Sequence, residues 1–297
     1  MLSSTAALAA VRFACYVALL LLVGATSLAL RTSADLDETA HRLRARAVRL
    51  ALIAAVVLTL GRVGGLYGQT WLFFGTDEGV NAETLRIIAM ETAWGAGWRV
   101  QFAAATFAMI GALLVRVRVH TGWPILGVGA LVAAGSQALT GHAVEGGWLS
   151  PAVFAQTVHV VGAAIWIGSL LAIFLVVLRR DPERALVATV VELFSPLALL
   201  GAGALLLTGL ASSFLYLSSP TDLLWTVYGR MLGAKVIGFA IIVRLGYHNW
   251  QRIKPRLGEA TACADLRRAV TAELAVAIIV LVITAFLVAL PLPAAAM

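Results

Sequence analysis

Of 297 residues, 61% are hydrophobic and 12% charged, more apolar side chain than a soluble domain can bury beneath its own surface. This composition excludes a soluble globular protein, and the formal net charge of +7 marks one face of a membrane rather than a nucleic-acid partner. Two cysteines in separate segments, Cys15 and Cys263, exclude a disulfide framework and a CxxC metal or redox motif.

Apolar runs long enough to cross the hydrocarbon are centred near residues 20, 58, 106, 132, 165, 205, 239 and 280. They predict an all-α, polytopic transmembrane bundle of about eight helices. The first run, from about Ala6 to Leu30, is too long for a signal-peptide core and is read as a retained helix. Every second connection is basic. Arg31 to Arg49 carries Arg31, Arg42, Arg44, Arg46 and Arg49; later ones carry Arg116 and Arg118, then Arg179, Arg180 and Arg184, then Arg244 through Arg268. The alternate connections hold Asp77, Glu78, Glu83 and Glu91 against Arg86, then Glu145, then Asp222. Basic loops stay cytoplasmic, so both termini are expected on the periplasmic side of a bacterial inner membrane.

The fourth run ends in Thr140-Gly141-His142-Ala143, and Ser150-Pro151 reads as an N-cap with proline at the first position of the fifth helix. His159 then lies about 12 Å below that helix start, at about 1.5 Å per residue. Two imidazoles within or beside apolar segments demand a metal, a partner or water. Copper and zinc suit imidazole; Met90, Glu91, Gln156 and Met231 are further candidate ligands on the same side. A haem gripped by both histidines is the rival reading, although it needs the two rings at similar depth. Histidines hydrogen-bonded between helices are the plain structural alternative. Trp166, two turns after His159, shares its face and is placed to pack on the imidazole or close its pocket.

Charged residues inside apolar runs form a second signal: Arg62, Arg99, Glu192, Arg230, Lys235 and Glu273. Arg99 and Arg230 lie near outer helix ends, where they can snorkel or bind lipid headgroups. Lys235 and Glu273, on the seventh and eighth helices, are candidates for a mutual salt bridge or a proton relay. His248 stands at the inner end of the seventh helix, while His120 and His41 read as surface residues. Gly162, Gly168, Gly201, Gly203, Gly209, Gly233 and Gly238 allow close helix packing in the second half. No internal repeat stands out, and no nucleotide loop, nucleophile elbow or HExxH motif supports ATP use or catalysis.

Several segments, in order, resemble the copper resistance protein CopD family. They are Leu139-Thr140-Gly141-His142-Ala143, the stretch from His159 to Gly168, Leu207-Thr208-Gly209-Leu210, Tyr228-Gly229-Arg230 with Ala234-Lys235, and Leu266-Arg267-Arg268-Ala269-Val270 with Glu273-Leu274. The resemblance is firm from about residue 135 to 291 and weak before it. It divides one continuous bundle into N-terminal helices, 1–134, and CopD-like helices, 135–297. What the resemblance implies is a non-enzymatic inner-membrane protein that moves copper ions, Cu(I) or Cu(II), taken from the periplasmic side and from a separate carrier of the CopC type. It carries over His142 and His159 as copper ligands, with Trp166, Arg230, Lys235 and Glu273 as further family positions. The seventh helix departs from the family by reading Tyr247-His248-Asn249-Trp250, and Ser169 replaces a frequent glycine.

Overall fold

A computed structural model describes residues 2–32, 38–75, 78–178, 183–217, 219, 221–259, 261–288 and 290; at residues 2–6, 142, 145, 215 and 216 the backbone alone is described. Asp77, Arg179 and Arg180 lie outside the described residues. The described residues are predominantly helical and contain no strand.

Among the described residues, eight helices are long and apolar enough to cross a membrane: Ala7–Arg31, Glu38–Phe74, Ala93–Arg116, Gly122–Thr140, Pro151–Val176, Arg184–Phe214, Val227–Arg256 and Ala262–Leu287. Each contains one of the expected centres. The first basic segment differs from expectation in being largely helical rather than a loop. Arg42, Arg44, Arg46 and Arg49 lie on the first turns of the second span's helix, Glu38–Phe74, whose 37 residues make a rod of about 55 Å. That exceeds the roughly 30 Å hydrocarbon core, so its basic end projects beyond it. Arg44 stacks over the Trp123 ring, 4.0 Å from its centroid, bringing the starts of the second and fourth spans together on the basic side.

The first span is the hub. It packs against the second, fourth, fifth and eighth, and one hydrophobic cluster runs from it through both halves. At its middle, Gly24 meets Gly168 so closely that a Cβ on either residue would overlap the other helix's backbone. A similar approach joins Gly162 of the fifth span to Gly201 of the sixth, whose Cβ would also crowd Trp166. The sixth span, which runs on through Pro196 without a break, packs on the fifth and not closely on the seventh.

Three spans begin with the same device. Thr92 accepts from Gly95 N (2.9 Å), Ser150 from Val153 N (3.2 Å) and Thr226 from Gly229 N (2.9 Å), each hydroxyl satisfying an amide that the first helical turn leaves unpaired. Before Thr92 and Thr226 lies a short helix, Ala82–Glu91 and Asp222–Trp225 respectively, against whose carbonyls Gly95 and Gly229 pack without room for a Cβ. This local repeat joins the third and seventh spans, where the sequence by itself suggested none.

Candidate functional site

Nine residues after each of those caps stands a polar side chain: Gln101 in the third span, His159 in the fifth and Lys235 in the seventh. At about 1.5 Å per residue each lies about 13 Å along its helix from the cap. Each finds a different environment there.

Gln101 is buried; its amide donates to the Ser136 carbonyl (2.9 Å) and to Thr140 Oγ1 (2.9 Å), bracketing the 3-10 turn Ser136–Thr140 that ends the fourth span. Thr157 Oγ1 donates to the Gly135 carbonyl (3.1 Å), and Ser150 Oγ, already the cap of the fifth span, donates to the Ala143 carbonyl (3.0 Å). These bonds fix the backbone on both sides of His142, which opens a second 3-10 turn, His142–Gly146. Nothing beyond its backbone is described at His142.

His159 Nδ1 lies 3.0 Å from Thr208 Oγ1 of the sixth span, and the ring rests beside Gly209, where a Cβ would stand 3.9 Å from Cε1. Its Nε2 has no hydrogen-bond partner among the described residues. Lys235 is within electrostatic range of this imidazole and makes no hydrogen bond or ion pair among the described residues.

Trp166 sits in a π-helical segment, Ala164–Gly168, and meets Phe239 of the seventh span edge-on, with centroids 6.2 Å apart and planes at 88°. Below this aromatic pair, Glu273 is buried and accepts a hydrogen bond from the Asn249 amide; Asn249 opens the second π-helical segment, Asn249–Ile253. A Cβ on Gly246 would lie 3.5 Å from Glu273 Oε2 and 3.8 Å from Trp166 Cζ2, so carboxylate and indole face one gap left by a missing side chain. Both π segments thus converge on one place, as π-bulges often do at functional sites. The expected Lys235–Glu273 salt bridge is not formed. Asn249 lies fourteen residues past Lys235 along its own helix, about 21 Å, and Asn249 takes the carboxylate instead.

The remaining expected positions stand apart. Arg230 is exposed on the first turn of the seventh span, and His248 is exposed at its last α-helical residue. Glu192 is exposed. Arg99 donates to the Ala89 carbonyl at the end of Ala82–Glu91, and Arg62 donates to Gln137 Oε1 (3.0 Å) while its carbonyl accepts from Trp98 Nε1 (2.8 Å). Among the described residues no group of three or more His, Cys, Asp or Glu side chains could hold a metal ion. Sequence reasoning passed over Gln101, Thr208 and Asn249 as partners. Gln101 carried the signal that flagged the charged residues, a polar side chain inside an apolar run.

Residues 1–151 match the family described as copper resistance protein D-like, N-terminal domain, and residues 188–287 match copper resistance protein D. The first half, where the resemblance in sequence was weak, is therefore matched throughout, and His159 and Trp166 lie between the two matched stretches. The copper transport protein CutJ of Bacillus subtilis is 29% identical over 260 residues, covering 83% of this chain and 44% of that protein, so the chain spans less than half the length of this relative. No solved structure matches the chain.

Proposed function

The chain belongs to the copper resistance protein D family, and from that premise we propose that it binds copper ions through His142 and His159 near its outer face and passes them across the cytoplasmic membrane through its second-half spans. The observation that carries this reading is His159: an imidazole inside a span, tethered at Nδ1 and without a partner at Nε2 among the described residues, is a vacant donor of the kind copper takes. Trp166 and Phe239 divide the route, with His159 and Lys235 above and Glu273 and Asn249 below. The lower station offers only oxygen and amide ligands, a place where copper pauses or a coupled proton resides. Arg230 and His248 mark its outer and inner ends. Copper arrives from the periplasmic side, delivered by a separate carrier of the CopC type.

The test is metal analysis with an optical spectrum of detergent-purified protein. Wild type retains copper, single variants His142→Ala and His159→Ala bind it more weakly, and a folded double variant loses it. Unaltered copper content in the double variant would overturn the site, and a Soret band in wild type would establish haem-based electron transfer in its place. Glu273→Gln is expected to keep the bound copper yet slow its movement into proteoliposomes; an unchanged rate would remove Glu273 from the route.

A further inference from the structure

Thr208 makes two contacts whose chemistry determines the state of His159. Its Oγ1 lies 2.6 Å from the Ala204 carbonyl and 3.0 Å from His159 Nδ1. A hydroxyl carries one proton. At 2.6 Å from a carbonyl oxygen, which can only accept, that proton must lie between the two oxygens, because two bare lone pairs would repel at this distance. Thr208 therefore has no proton left for the ring, and the His159 contact is satisfied only if Nδ1 carries the hydrogen and Oγ1 accepts it. We propose that Thr208 is a positioning residue that locks His159 in its Nδ1–H tautomer, so that Nε2 presents the lone pair that binds the cation.

This rests on the copper reading of His159 and adds to it the nitrogen that binds and the residue that selects it. A metal-ligating histidine is commonly oriented by a partner on its other ring nitrogen, and loss of such a partner weakens metal binding about 10- to 100-fold. The local sequence suits the task. The Thr208 hydroxyl is held by its own helix through the bond to Ala204 four residues back, and the ring lies against the sixth span beside Gly209.

Two measurements on the full chain separate this proposal from the reading beneath it. In nanodiscs without metal, 15N spectra of histidine-labelled protein, with the His159 signals assigned from their loss in His159→Gln, are expected to show a protonated Nδ1 and an unprotonated Nε2. The opposite tautomer overturns the proposal whether or not copper is the cargo. Titration with Cu(I) or Cu(II) should give a Kd raised about 10- to 100-fold in Thr208→Val, which keeps the shape and removes the hydroxyl, and a near-wild-type Kd in Thr208→Ser. Equal affinity of Thr208→Val and wild type would also overturn it. If His159→Gln binds copper as wild type does, the copper site itself fails while the tautomer result stands on its own.

Discussion

At the scale of single residues, a polar side chain in an apolar helix must find a partner, and the fold decides which one. His159, Arg62, Lys235 and Glu273 all stood out in the sequence because an unpaired polar group in hydrocarbon costs several kcal/mol. Whom each one meets depends on how its helix is rotated and tilted, which apolar periodicity fixes only to within a face. Thr208 appeared in the sequence as part of Leu207-Thr208-Gly209-Leu210 and became a partner only in the fold. The Lys235–Glu273 pairing failed for the same reason, with Asn249 occupying the carboxylate. Gln101 gives a direct test. Gln101→Leu would leave the Ser136 carbonyl and Thr140 hydroxyl without their donor, at a cost of about 1 to 3 kcal/mol. Thermal unfolding in detergent should record the loss as a lower midpoint, while Gln101→Glu, which keeps acceptors but no amide donor, should not restore it.

Elements were legible in number and almost in extent, because a run of about 20 apolar residues has few alternatives in a membrane. Their irregularities were not. The π segments Ala164–Gly168 and Asn249–Ile253 arise from one extra residue per turn, a change that leaves local composition untouched. The repeated start of the third and seventh spans was equally hidden, since the two stretches share little beyond a threonine cap and a glycine three residues on. Glycines were visible as a class, and the structure separates those at helix contacts from those facing open space, such as Gly203 and Gly233. Gly168→Val, on the first span's backbone, is expected to cost about 1 to 3 kcal/mol by overpacking, whereas Gly203→Ala, in open space inside a helix, should not destabilise. Comparing the unfolding midpoints of both variants checks this; equal effects would mean that the Gly24–Gly168 approach does not hold the bundle.

For the whole molecule, alternation of charge along the chain is the argument for the expected orientation, and packing of the first span against both halves carries the architecture. Labelling can test the orientation because the two native cysteines are buried and contribute little background. Glu78→Cys should react with a membrane-impermeant maleimide in intact cells, and Arg267→Cys only after lysis. The reverse result would invert the topology and place His159 in the cytoplasmic half. The Gly24–Gly168 contact has a further consequence, in time rather than in space. The first span is synthesised 144 residues before its glycine partner in the fifth, a delay of about 7 to 30 seconds at 5 to 20 residues per second. Through that interval the groove around Gly24 has no helix to fill it. The half-made chain, rather than the finished protein, is then the species most exposed to quality-control proteases, and ribosome-stalled chains ending before the fifth span should be cleaved faster than those ending after it.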